Sequence, residues 1–145
     1  MSVYFEIEQK GIISILRHTQ IDTIELVAEV LKSAGITVLE VTMETPKASN
    51  MIEKLRAEFS DCLTIGAGTV LDAETAKVAI SAGAQFIVSP TINIETIRIA
   101  KRYGVLCIPG AMTPTEVLTA YEHGADMVKN FSSPCFGSSV FQGDC

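Results

Sequence analysis

Gly83-Ala84-Gln85-Phe86-Ile87-Val88-Ser89-Pro90 joins a glycine to a short apolar run carrying β-branched residues. A glycine closing a helical segment supplies the left-handed residue that turns the chain, and a run of this length and composition reads as a strand. The same punctuation recurs. Gly35, Gly104 and Gly124 also end amphipathic stretches and stand directly before apolar runs. Strand candidates therefore fall at Ile12–Leu16, Thr37–Thr42, Leu63–Gly66, Gln85–Ser89, Val105–Pro109 and Asp126–Asn130. Their spacing of roughly 20 to 26 residues suits a βα unit and is too long for a meander of hairpins.

Between the strands the apolar period changes from continuous to helical. Ile21, Ile24, Val27, Ala28 and Leu31 share one face, as do Met51, Ile52, Leu55 and Phe59, and as do Ile94, Ile97 and Ala100. Asp72 and Asn93 are placed as N-caps, and Thr113-Pro114-Thr115-Glu116 combines a capping box with proline at the first helical position. The pattern is βα five times and then a sixth strand. Strands that are apolar throughout are expected in a parallel sheet covered on both faces. The expected fold is α/β, a (β/α)8 TIM-barrel type that is incomplete, with about six strands and five or six helices in one partial domain over residues 1–145. A doubly wound dinucleotide fold is disfavoured, because no GxGxxG follows the first strand.

Composition narrows the partners. The chain has 145 residues, 48% of them hydrophobic, 19% charged and none tryptophan, as in an ordinary compact protein. A net charge of −6 without clustered Lys and Arg argues against nucleic acid. Cys62, Cys107, Cys135 and Cys145 show neither a CxxC pair nor zinc-ligand spacing, so a reducing compartment is expected and the thiols read as core or tail residues. Residues 1–8 lack the pattern of a secretory leader, and no apolar run approaches membrane-spanning length. The expectation is a soluble cytoplasmic protein with no membrane partner.

In a barrel of this type chemistry collects at the C-terminal ends of the strands. Those ends carry Arg17, Glu40 with Glu44, Gly66-Ala67-Gly68-Thr69, Ser89-Pro90, Pro109-Gly110 and Lys129. Glu40 interrupts the apolar run Val38-Leu39-Glu40-Val41, where loss of water raises a carboxyl pKa and suits it to proton transfer. Lys129 interrupts the last run, and a lysine in a water-poor mouth is suited to attack a ketone. The spacing leaves two readings open: a Schiff-base pair for keto acids, or a structural ion pair across the barrel. The Gly66–Gly68 stretch reads as a tight loop or a backbone approach to ligand, Arg17 as a carboxylate grip or a solvated residue. His18 and His123 read as surface residues, and Ser132, Ser133, Ser138 and Ser139 as loop residues.

The runs Leu39-Glu40-Val41-Thr42, Ile65-Gly66-Ala67-Gly68-Thr69-Val70, Ala82 to Pro90, Ile108-Pro109-Gly110 and Thr113-Pro114-Thr115-Glu116, in that order, resemble the bacterial 2-keto-3-deoxy-6-phosphogluconate / 4-hydroxy-2-oxoglutarate aldolases. The resemblance runs from about Gly11 to Lys129. It implies a class I aldolase, usually a homotrimer, that cleaves a 2-keto-4-hydroxy acid into pyruvate and an aldehyde. It also implies Lys129 as the Schiff-base lysine, Glu40 as the general acid/base, and Thr69 and Pro90 at the pyruvate end of the pocket. This chemistry uses no metal and no organic cofactor.

The sequence departs from the family pattern in three places. Glu44 stands where many members have the arginine that holds the substrate carboxylate, and Arg17, an arginine that related sequences also carry, is the candidate substitute. After Lys129 the chain reads Asn130-Phe131-Ser132-Ser133-Pro134, with an echo of the family in Phe136-Gly137-Ser138-Ser139. It stops at Cys145, before the seventh and eighth strands, and so looks like a truncated aldolase. Two other readings stay open: an inactive remnant, and a different phosphate-binding barrel in which Lys129 only holds an anion.

Overall fold

The computed structural model describes residues 2–131. Serines 132, 133, 138 and 139, Cys135, Cys145 and the 136–139 echo lie outside the described residues. Six strands, β1 (Ser14–Leu16), β2 (Val38–Thr42), β3 (Thr64–Gly68), β4 (Phe86–Ser89), β5 (Leu106–Ala111) and β6 (Lys129–Asn130), form one sheet in the order β1 to β6. Every pairing is parallel. Five helices follow the first five strands: α2 (Ile24–Ser33), α3 (Ala48–Glu58), α4 (Ala73–Ser81), α5 (Ile94–Arg102) and α6 (Pro114–Glu122). The result is an incomplete (β/α)8 barrel, as the sequence pattern predicts. Among the described residues no helix is long and apolar enough to cross a membrane.

The caps explain where the helices begin. Asp72 accepts from the Thr75 amide at 2.6 Å, Asn93 from the Thr96 amide at 3.1 Å, and Thr113 with Glu116 forms the full capping box. Gly83 and Gly124 close their helices at φ 97° and 91°, a conformation that costs a residue with a Cβ about 1–2 kcal/mol.

Strand alternation sorts the side chains into two layers. Leu39, Val41, Ile65, Ala67 and Ile87 point outward and pack with Ile24, Ala28, Met51, Ile52, Leu55, Ala76 and Ala79 of the helices. Each fully buried Leu or Ile there contributes about 1.5–3 kcal/mol. Val38, Phe86, Val88 and Ile108 point inward and close on Ile7.

Ile7 belongs to a helix that strand-and-helix periodicity does not predict, α1 (Val3–Lys10), capped by Ser2 and ended by Gly11. It plugs the N-terminal end of the barrel. Its Glu6 carboxylate accepts from Thr64 Oγ1 at 2.9 Å and Thr37 Oγ1 at 3.4 Å, tying it to the starts of β3 and β2.

Every strand starts later than the sequence reading places it, most by a residue or two, and two run on beyond it. β3 and β5 run on to Gly68 and Ala111, because their glycines sit in the pleat. β6 starts at Lys129 instead of Asp126, because the Asp126 side chain takes the Cys107 amide that a ladder residue would use, at 2.9 Å.

Candidate active site

Glu40 lies in the middle of β2, opposite Ile15 of β1 and Gly66 of β3. Its place in the alternation turns it inward, and it is only 4% exposed. Burial pushes its carboxyl above the ordinary value; the charges of Lys129 and Arg17 pull it back in part. Lys129 of β6 pairs with Gly110 and also turns inward. The two side chains line one cavity of about 280 Å³, with Ile7 at its floor and Ile13, Ile15, Val88, Ile108, Met127 and Val128 around it. Among the described residues no salt bridge joins Glu40 to Lys129. The structural-ion-pair reading therefore loses its contact. What remains is a buried acid and an amine sharing an apolar chamber.

Small residues make the room. A Cβ on Gly68 would overlap the Glu40 carboxylate, and one on Gly66 would overlap the Phe86 ring. The Gly-Ala-Gly run is thus strand and not a tight loop, with its inner face left empty for Phe86 and Glu40. Gly68 has no left-handed backbone, so the clash alone sets the cost of a side chain there. Gly68→Ala is expected to destabilise the protein by about 1–3 kcal/mol. Adding Glu40→Ala should return most of that loss, a coupling read from urea melts of the double-mutant cycle. Equal cost in both backgrounds would remove Glu40 as the cause.

Gly110 plays the same part on β5. A side chain there would meet the Phe131 ring and the Pro90 carbonyl. Phe131 in turn lies under the amine of Lys129, whose Nζ is 5.2 Å from the ring centroid, a cation–π distance. Sequence reading missed Phe131 because an aromatic two residues after a lysine carries no signal until both face the same way.

The remaining candidates sit on the rim. Arg17 donates from Nη2 to Thr69 Oγ1 at 3.2 Å and pairs through Nη1 with Glu44 at 2.9 Å. The residue in the place of the expected arginine thus engages the candidate substitute directly. Thr69 is held at φ 53°, and His18 at φ 55°. The His18 amide donates to Thr45 Oγ1 at 3.1 Å, which also bonds Thr42 Oγ1 at 2.9 Å, so the β1 and β2 loops are strapped together. Pro90 is exposed beside Gly110. None of Arg17, Thr69 and Pro90 lines the chamber shared by Glu40 and Lys129.

Other expectations resolve simply. His18 is exposed, whereas His123 is half-buried with Nδ1 2.8 Å from the Thr119 carbonyl. Cys107 is a buried core thiol, pushed up to about 12 by burial and so unreactive, whereas Cys62 is a free thiol that is exposed and not in the core.

A parallel βα sheet in chain order, with Glu40 on its inner face in mid-strand and Arg17, Thr69 and Pro90 at its strand ends, defines an α/β-barrel scaffold. The sequence profile of the KDPG and KHG aldolase family matches residues 4–142, and the chain belongs to that family. It is 34% identical over 140 residues to the 2-dehydro-3-deoxy-phosphogluconate aldolase of Treponema pallidum, covering 97% of this chain and 66% of that one. A native KDPGal structure superposes with a TM-score of 0.81 at 37% identity, covering 86% of this chain and 61% of that one. The KDPG aldolase of Legionella pneumophila, solved with pyruvate captured at low pH as a covalent carbinolamine intermediate, matches with a TM-score of 0.73 at 32% identity. That match covers 77% of this chain and 54% of that one. The chain spans between about half and two thirds of the length of the curated relatives it matches.

Proposed function

We propose that this chain carries the class I aldolase chemistry of its family, cleaving a 2-keto-4-hydroxy acid such as 2-keto-3-deoxy-6-phosphogluconate or 4-hydroxy-2-oxoglutarate to pyruvate and an aldehyde. The observation that supports it is the pairing of Glu40, buried and held above its ordinary pKa, with Lys129 in one chamber without a salt bridge. The amine of Lys129 adds to the C2 ketone, and loss of water from the carbinolamine leaves an iminium. The Glu40 carboxylate takes the C4 hydroxyl proton. The C3–C4 bond breaks, its electrons pass to the iminium as an enamine, and the aldehyde departs. Glu40 returns the proton to C3, and water releases pyruvate and the free lysine.

Each rim residue has a role in this reading. Arg17, with Thr69, receives the substrate carboxylate, and Pro90 bounds the pyruvate end. The carbinolamine on the Legionella relative is the chemical precedent for the first step. A homotrimer is the assembly that the family resemblance implies. The free thiols Cys62 and Cys107 suit a reducing, cytoplasmic setting.

Borohydride reduction in the presence of pyruvate tests the proposal. A stable adduct mapping to Lys129 by mass spectrometry is expected; folded protein that gives no adduct, or an adduct elsewhere, would overturn it.

A further inference from the structure

Lys129 stands on the least supported strand of the sheet. Among the described residues β6 pairs with β5 alone, through Gly110↔Lys129 and Ala111↔Asn130, and the Phe131 amide adds one bond to the Ala111 carbonyl at 3.1 Å. Side chains alternate along a strand, so a slip of one residue would turn Lys129 out of the chamber. A contact at the entry to the strand is placed to fix the register.

Asp126 occupies that place. Its amide donates to the Cys107 carbonyl at 3.0 Å, and its Oδ2 accepts from the Cys107 amide at 2.9 Å. One residue thus takes both backbone groups of Cys107 on that edge of β5. Its Oδ1 meets Lys101 Nζ of α5 at 2.8 Å, which aims the carboxylate at the strand. The Met127 amide leans on the same Cys107 carbonyl at 3.4 Å.

The fold contains the same joint a second time, where it can serve as a control. The Gln85 amide donates to the Ile65 carbonyl at 2.8 Å, its Oε1 accepts from the Ile65 amide at 2.9 Å, and Arg56 donates to that oxygen at 2.9 Å. Gln85 leads into β4, which is paired on both sides and holds four register pairs with β5 alone. Losing the Gln85 joint leaves the β4 register fixed by its neighbours. Losing the Asp126 joint leaves β6 with two pairs on one side.

We propose that Asp126 is the positioning residue of Lys129, setting the register of β6 so that the amine faces Glu40. The proposal rests on the reading of Lys129 as the Schiff-base lysine for its chemical consequence, but not for its structural one. Two measurements on the full chain separate these, comparing wild type, Asp126→Ala, Asp126→Asn and Gln85→Ala at a temperature where all are folded. Hydrogen–deuterium exchange of residues 127–131 should accelerate in Asp126→Ala and stay near wild type in Gln85→Ala. Borohydride trapping of pyruvate on Lys129 should slow by about tenfold or more in Asp126→Ala, as expected when a reacting group is displaced. Asp126→Asn, which keeps an oxygen for the Cys107 amide, should recover most of the rate. Equal exchange in Asp126→Ala and Gln85→Ala would overturn the proposal whatever the chemistry. If wild type gives no adduct but the exchange pattern holds, the Schiff-base reading fails and the positioning role stands.

Discussion

Lys129→Arg is expected to form no borohydride-reducible adduct with pyruvate while keeping its fold. Arginine preserves the positive charge beside the Phe131 ring and approximates the length of the side chain, so a lysine that merely held an anion would be replaced with little loss. It cannot replace a nucleophile, because its guanidinium stays protonated and offers no free pair of electrons to a ketone. Loss of a covalent nucleophile reduces turnover by a factor on the order of 10⁴ or more. Mass spectrometry of the reduced protein and an assay for released pyruvate read the two consequences separately. Pyruvate release by Lys129→Arg at the wild-type rate would exclude the imine and restore the anion-holding alternative.

Glu40→Gln should separate catalysis from stability by moving them in opposite directions. Glutamine keeps the shape that fills the space over Gly68 but cannot take the C4 hydroxyl proton, so turnover should fall by about 10²–10⁴. Stability should change the other way. Burial raises the Glu40 pKa in the folded state above its ordinary 4.5. Between that value and the raised one, the folded protein keeps a proton that the unfolded chain has released. Wild-type stability therefore falls as pH rises through this window and levels off above the folded pKa. Glutamine has no such proton, so the variant loses this slope and should be the more stable protein at neutral pH. Urea melts from below the ordinary glutamate pKa to neutrality measure it; a wild-type curve with no falling limb relative to Glu40→Gln would show that burial does not penalise the carboxylate.

The sequence made the outer layer legible because local rules govern it. Gly83 and Gly124 mark helix ends through backbone sterics, and Asp72, Asn93 and Thr113 mark helix starts through single hydrogen bonds to nearby amides. Glu40 and Lys129 were legible for a related reason: a charge inside an apolar run contradicts its surroundings. The inner layer was harder to read because its contacts are diagonal across strands. That Gly68 is small for the sake of Glu40 depends on the β2–β3 register, in which Thr42 stands opposite Gly68 and Glu40 opposite Gly66. Helix α1 escaped notice because Ile7 is its only buried residue, too narrow a stripe to show periodicity. Arg17 was visible as a residue type, but its partners were not. Glu44 lies in the next loop and Thr69 in the one after, and only the curvature of the sheet brings both to its guanidinium.

The strand order has a consequence for how the molecule is made. Each strand's neighbour in the sheet is also its neighbour among the strands of the chain. When a ribosome releases such a chain from the N-terminus, each of β2 to β6 finds its preceding partner already synthesised. Glu40 and the glycines that seat it emerge while the chain is still growing. Lys129 emerges later and reaches a partner strand that already exists. The acid is made before the amine.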